Sequence, residues 1–132
     1  GGGYHGKSTL LRAISVGIHN KIPGDGREKC VTTSSALTIR AEDGRYVHNA
    51  DVSAFLSHLP CGTDVRHFET RNASGSTSQA SNVSDALELG CEVMLVDEDV
   101  SAANFMARDG RMRALVADEC ITPLLYRVNG LH

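Results

Sequence analysis

Residues 1–9 read GGGYHGKST, and this stretch decides the fold. The pattern G-x-x-x-x-G-K-[ST] is typical of a phosphate-binding loop, in which glycines allow backbone N–H groups to surround phosphate oxygens. Beyond it, apolar residues recur at helical spacing, at Leu10, Leu11, Ile14 and Ile18. They predict an amphipathic helix that begins near Lys7 and ends near His19. Because a helix N-terminus attracts anions, a glycine loop directly before a helix predicts a phosphate site.

The motif gives each residue of the loop a predicted role. Lys7 would reach the β- and γ-phosphates, Ser8 would place its hydroxyl on Mg²⁺, and Thr9 would hydrogen-bond the α-phosphate. The glycines that let the loop turn around the phosphates are Gly1, Gly3 and Gly6. The alternative is a glycine-rich loop that precedes a helix without binding phosphate. We disfavour it because the helix that the motif requires follows at once.

A second motif supplies carboxylates. The apolar run VMLV at residues 93–96 is followed by the acids Asp97, Glu98 and Asp99. Such a run predicts a buried parallel strand that ends in carboxylates. We expect Asp97 to hold Mg²⁺ and Glu98 to orient or deprotonate an attacking water. The alternative is that these acids cap the next helix, a role that suits Asp99 or Ser101 better than Asp97.

Between the two motifs, residues 72–82 read NASGSTSQASN and are almost all small and polar. They run into the helical spacing of residues 83–89, so they predict a helix start with several possible N-caps and unpaired backbone donors. An ordinary serine-rich helix start is the simpler interpretation. The alternative is that Ser74, Gly75 and their neighbours bind the γ-phosphate of a nucleotide held by another subunit.

The remaining sequence predicts short elements. Residues 30–33 and 36–41 predict two strands, and the turn EDGR leads into a third at residues 46–52, so an antiparallel hairpin is expected here. Asp51 or Ser53 would cap a short helix that Pro60 ends. Further helices are predicted near residues 102–107, near residues 112–116 and from Pro123 onward.

The composition is that of one globular domain or part of one. The chain has 132 residues, of which 41% are hydrophobic and 22% charged, and its net charge is −3. This balance disfavours an extended nucleic-acid groove, and no apolar run approaches the roughly 18 residues of a membrane span. The four cysteines are dispersed without zinc-ligand spacing and are expected to be reduced thiols. We therefore expect a cytoplasmic protein.

In order and spacing, these motifs resemble those of the ABC-class ATPases. They are a Walker A loop at residues 1–9, a serine-glycine signature at residues 72–80 and a Walker B strand at residues 93–98 that runs into SAANFM. The resemblance is specifically to the bacterial-type family of predicted ATPases of the ABC class. It implies an α/β P-loop NTPase fold of three layers, with a mostly parallel sheet and a small antiparallel hairpin region.

The resemblance also implies an activity and a partner. ATP would be bound with Mg²⁺ and hydrolysed, with Lys7 and Glu98 in the catalytic positions and Asp97 in the metal position. The Walker A site of one copy would be completed by Ser74 and Gly75 of a second copy, so a homodimer is expected. The signature reads SGSTSQ rather than LSGGQ, and no glutamine loop is recognisable.

The family pattern extends beyond these residues. A switch histidine and an adenine-stacking aromatic residue would both lie outside residues 1–132. We therefore expect an internal fragment of one domain, incomplete at both ends and inactive when isolated.

Two other functions stay open. A P-loop kinase would transfer phosphate to a small molecule and would need an arginine-bearing lid, for which Arg108, Arg111 and Arg113 are the candidates. A solvated helix face is the simpler interpretation of these arginines. A nucleotide-gated switch would bind ATP and change partners with little hydrolysis.

Overall fold

The computed structural model describes residues 3–19, 21–24, 27–59, 62–107 and 120–131. The helices are α1 (Lys7–Ser15), α2 (Gly75–Glu88), α3 (Ala103–Met106) and α4 (Leu124–Arg127), with 3₁₀ turns at Glu98–Val100 and Val128–Gly130. The strands are β1 (Ala36–Ile39), β2 (Val47–Ala50), β3 (Phe68–Thr70) and β4 (Val93–Val96). Helices combined with parallel and antiparallel strand pairs confirm the α/β class.

Strands β1 and β4 form a parallel pair that carries the acidic motif. Their register places Ala36 opposite Val93 and Ile39 opposite Val96, so both strands end at the same edge. Asp97 follows β4 at that edge. Helix α1 packs against both strands, and α2 packs against β1 and β2. The parallel strand predicted at residues 93–96 is confirmed.

The antiparallel pair has different strands from those predicted. Strand β2 pairs with β3, whereas β1 pairs with β4, so the hairpin expected around the EDGR turn is wrong. The turn does not close a hairpin because residues in and beside it are bonded to other segments. The Ala41 N–H donates to the Val100 carbonyl at 2.8 Å, and the Gly44 N–H donates to the Ala73 carbonyl at 2.9 Å.

Two further predictions in this region are wrong. Residues 30–33 form no strand, and the segment after Asp51 forms turns instead of a helix. Leu56 is drawn into an isolated antiparallel bridge with Ile121, and the Ser57 N–H donates to the Cys120 carbonyl at 2.9 Å. The segment pairs with a distant part of the chain, and this pairing uses the Ser57 N–H and the Phe55 carbonyl, which a continuing helix would need.

The helices agree better with the sequence. Helix α1 begins at Lys7 as predicted, although it ends at Ser15 rather than near His19. The helices predicted near residues 102–107 and from Pro123 are confirmed as α3 and α4. The helix predicted near residues 112–116 lies outside the described residues.

The core combines aromatic packing with a helix of small residues. Phe55 and Phe105 are fully buried and meet edge to face, with ring centroids 5.1 Å apart. The buried polar side chains among the described residues all lie in α2, and they are Ser76, Thr77, Ser78, Gln79, Ser81 and Ser84. The serine-rich stretch is therefore an interior helix that begins at Gly75.

Candidate functional site

The glycine loop leads directly into α1. Gly6 is the residue before the helix and has φ 77°, a left-handed conformation that glycine adopts without strain. Its carbonyl accepts the Leu10 N–H at 2.9 Å, which starts the helical ladder. Tyr4 also has a positive φ, of 61°, which is uncommon for a bulky residue. Gly3 to Lys7 are exposed, so a ligand can reach the loop. Gly1 lies outside the described residues.

A cavity of about 430 Å³ opens at this loop. Residues 3–9 form one wall, and Glu98 and Asp99 form the other. The structure thus brings the Walker A loop and the acid after Asp97 to one site, although they are far apart in the sequence. The volume lies within the range of about 300–1,000 Å³ that is usual for small-molecule sites.

Ser8 and Asp97 both line a second, smaller cavity of about 100 Å³. Thr38 and Arg40, from β1 and its carboxyl end, line the same cavity. A hydroxyl and a carboxylate are hard oxygen donors, and Mg²⁺ in nucleotide sites commonly takes one or two protein oxygens beside phosphate and water. The donor set therefore fits this ion. Within the described ranges, no group of three or more His, Cys, Asp or Glu side chains could hold a metal by itself.

The turn that carries the acids is stabilised by hydrogen bonds. The Asp97 side chain accepts the Asp99 N–H at 3.4 Å and caps the 3₁₀ turn Glu98–Val100. The Ser101 hydroxyl donates to the Asp97 carbonyl at 2.7 Å. Asp97 therefore performs the capping role that was expected to suit Asp99 or Ser101 better. It does so because its backbone is extended where β4 ends, which is the conformation of an N-cap.

The signature-like segment lies at the start of α2. The side chain of Ser74, the N-cap, accepts the Thr77 N–H at 3.4 Å. Ser74 is exposed and Gly75 is half-buried, while the four side chains that follow are buried. Neither Ser74 nor Gly75 lines the two cavities at the Walker A loop. The structure therefore brings the glycine loop and the acidic turn together and leaves Ser74 and Gly75 apart from them.

Helix α2 is connected to both segments that follow the parallel strands. After β1, the Glu42 N–H donates to the Ser78 hydroxyl at 2.9 Å. After β4, the Ala102 N–H donates to the Gln79 side-chain oxygen at 2.8 Å. These contacts hold the first turns of α2 against the segments that follow β1 and β4.

Three residues near the site were not predicted from the sequence. Thr38 and Arg40 were missed because the expected hairpin assigned β1 to an antiparallel partner. A parallel pairing of β1 with β4 would have placed Arg40 beside Asp97. Asp99 was assigned to capping, but it lines the cavity at the Walker A loop together with Glu98.

At the opposite end of the β1–β4 pair, Glu92 binds the start of β1. Its carboxylate accepts the Ser35 hydroxyl at 2.6 Å and the Thr33 hydroxyl at 3.1 Å. These hydrogen bonds lower the pKa of Glu92 because they favour its charged form, and the bond from Ser35 has a larger effect than the bond from Thr33. Glu92 therefore stabilises the pairing of β1 with β4 at the end away from the cavities.

Comparisons with known proteins show the family of the chain. The chain is 35% identical over 102 residues to an uncharacterized protein of Methanocaldococcus jannaschii, an alignment that covers 76% of the chain and 22% of the relative. The chain thus spans about a fifth of that relative's length. Within the described residues, no helix has the length and hydropathy needed to cross a membrane. The family model for the ABC_ATPase P-loop domain matches residues 1–132, so the chain belongs to the ABC-class ATPases and has a nucleotide-binding P-loop domain.

Proposed function

We propose that the domain binds Mg-ATP and hydrolyses it, and that two copies enclose the nucleotide. The observation that carries the proposal is the cavity in which Glu98 faces the exposed Walker A loop. Ligand phosphates on that loop would lie between Lys7 and Glu98. This arrangement suits phosphoryl transfer, in which positioning and electrostatic stabilisation account for most of the catalysis.

Each residue of the site has a task in this proposal. The glycines and the N-terminus of α1 bind the phosphates, with Thr9 on the α-phosphate and Lys7 on the β- and γ-phosphates. Ser8 and Asp97 hold Mg²⁺, which neutralises charge on the phosphate oxygens when it is bound. Glu98 orients a water for attack and takes its proton.

The position of the signature residues supports a second copy. Ser74 and Gly75 lie at the accessible end of a 14-residue helix and outside the cavities at their own Walker A loop. In a dimer, the N-terminus of α2 would meet the γ-phosphate on the partner's loop. We also propose that residues 1–132 are part of a larger domain, since Leu10, Leu37 and Val93 are exposed beside the parallel strand pair.

The test is the sedimentation mass of the full-length protein carrying Glu98→Gln, with and without Mg-ATP. We expect a monomer without nucleotide and a dimer with it, because the variant traps the ATP-bound state. The same protein with Lys7→Ala added should stay monomeric. If ATP binds and the mass does not change, the enclosed dimer is wrong, and the kinase and the switch become the leading alternatives.

Phosphate release separates those alternatives. Background release with intact ATP binding would favour the switch, and release that depends on an added acceptor would favour the kinase. The candidate lid arginines Arg108, Arg111 and Arg113 lie outside the described residues.

A further inference from the structure

Gln79 is the most completely buried amide in the described part of the chain, and its hydrogen bonds all go to one segment. Its side chain has 0% exposure. Its oxygen accepts the Ala102 N–H at 2.8 Å, and its nitrogen donates to the Ser101 hydroxyl at 3.1 Å. A third contact, of 3.5 Å, joins the same nitrogen to the sulfur of Met106.

These hydrogen bonds continue to the acidic motif. The Ser101 hydroxyl that accepts from Gln79 also donates to the Asp97 carbonyl at 2.7 Å. A continuous path therefore runs from α2 through two side chains to the backbone of Asp97. Glu98 is the next residue, and it is exposed in the Walker A cavity. The amide orientation follows from chemistry, because the Ala102 N–H needs an acceptor and only the side-chain oxygen of Gln79 can supply it.

The turn that carries Glu98 depends on few other anchors. The 3₁₀ turn Glu98–Val100 has three exposed residues, and the Ala41 N–H donates to the Val100 carbonyl at 2.8 Å. Burying an amide is costly unless its groups are paired, and Gln79 pairs both of its polar atoms with the residues directly after this turn. Such a buried, satisfied contact fixes geometry better than an exposed one.

We propose that Gln79 is a positioning residue for the ATPase reaction. It fixes the segment from Asp97 to Ala102 against α2, so that Glu98 is held facing the Walker A loop. The inference rests on the proposed hydrolysis for its effect on turnover, and its structural part can be measured without nucleotide.

The main variant is Gln79→Met in the full-length protein, which keeps the length of the side chain and removes both hydrogen-bonding groups. We expect kcat for ATP hydrolysis to fall about 10- to 100-fold, because small misplacements of a catalytic group reduce rates on that scale. The KM for Mg-ATP should change less than about twofold, since the loop that binds the phosphates is untouched. Equal losses in kcat and in the folded fraction would overturn the proposal.

The matched control is Asn82→Ala in the same helix. Asn82 also donates from its amide, to the Arg40 carbonyl at 2.9 Å and to Glu42 at 3.3 Å, but not to the acidic turn. Its kcat should stay within about twofold of the wild type. A wild-type kcat in the Gln79→Met protein, or an equal loss in the control, would contradict a specific role for Gln79.

Gln79→Glu supplies a second readout. The new carboxylate keeps the acceptor for Ala102, but it has a donor for Ser101 only when protonated, and burial favours the protonated form. Its kcat should lie between those of the wild type and Gln79→Met. The ratio of its kcat to that of the wild type at the same pH should rise as the pH falls. A flat ratio at the level of Gln79→Met would count against the hydrogen-bond path.

Hydrogen exchange separates this inference from the proposed function. Without nucleotide, amides of residues 97–102 should exchange at least about 10-fold faster in Gln79→Met, and those of the control should match the wild type. If the wild type hydrolyses no ATP, the proposed function fails, and the exchange data still decide whether Gln79 positions this segment. Unchanged exchange in Gln79→Met would overturn the inference even if ATP is hydrolysed.

Discussion

The Walker A loop and the first turns of α2 are built from the same kinds of residue and are used in opposite ways. In the loop, glycines and small polar residues are exposed around a cavity. In α2, Ser78 and Gln79 have 0% exposure and hydrogen-bond to neighbouring segments. Composition therefore does not separate a ligand site from a structural connection. The difference is whether the polar groups are bonded within the protein or left for a ligand.

The sharpest test of the loop is Lys7→Ala. We expect nucleotide affinity to fall by about 100-fold or more, because contacts to charged groups contribute about 1.5–3 kcal/mol each and Lys7 would reach two phosphates. Titration calorimetry with ATP measures the loss. Lys21→Ala, which removes a lysine beyond α1, should bind like the wild type, and a similar loss there would show that general charge accounts for the effect.

The next test asks which acid of the cavity acts on water. We expect Glu98→Gln to retain ATP binding and to lower turnover by about 100-fold or more, the scale of general base catalysis. Asp99→Asn alters the neighbouring acid of the same cavity and should lower turnover much less. Steady-state phosphate release compares the two variants. Equal losses would assign the role to the charge of the turn rather than to Glu98.

In α2, we expect Ser78→Ala to destabilise the fold without changing the affinity of the Walker A loop for ATP. Ser78 accepts the Glu42 N–H and donates to the Gly75 carbonyl, both at 2.9 Å. Losing these bonds should lower the free energy of unfolding by about 1 kcal/mol. Denaturant titration measures the change, with the exposed Ser34→Ala as control. A larger effect on ATP affinity than on stability would break the contrast between the two regions.

The smallest expected effect concerns the end of the sheet away from both regions. The pKa of Glu92 lies below its ordinary value of 4.5, because hydroxyls of Ser35 and Thr33 bond the charged form. The folded state therefore binds the proton less readily than the unfolded chain, and the stabilisation is present above pH 4.5 and lost as the pH falls through the lowered value. The free energy of unfolding of the wild type, measured from pH 6 down to about pH 3, should lose this contribution. The Glu92→Gln variant should lack the contribution at every pH.

Local signals were enough to predict several elements. The start of α1 at Lys7, strand β4 and the helix after Pro123 each follow from spacing or from one residue with a fixed conformational preference. The motif residues Lys7, Ser8, Asp97 and Glu98 could likewise be placed in the sequence. Their shared cavities could not be predicted in the same way, because they depend on the parallel pairing of β4 with β1. The sequence indicated a parallel strand for β4 alone.

The wrong predictions of the hairpin and of the helix after Asp51 share one physical cause, which is pairing between distant segments. Strand β1 was given a nearby partner because a turn sequence follows it, but its partner is β4. The segment after Asp51 has helical composition, yet its backbone bonds near Cys120. The helix start at residues 72–82 was predicted correctly, but its burial was not, because serine is usually exposed and nothing local reports that Ser78 is buried.

The weak burial of α1 links ligand binding to conformational stability. Ala13 is the buried residue of this helix and Leu10 is 58% exposed, so residues 1–132 by themselves contribute little to its attachment. A nucleotide that contacts both Lys7 and Glu98 would bind only the folded state, and it would stabilise the position of α1 relative to the acidic turn. By mass action, ligand at 100 times its Kd adds about 2.7 kcal/mol to the stability of the state that binds it. The attachment of α1 would then become more stable as the nucleotide concentration rises.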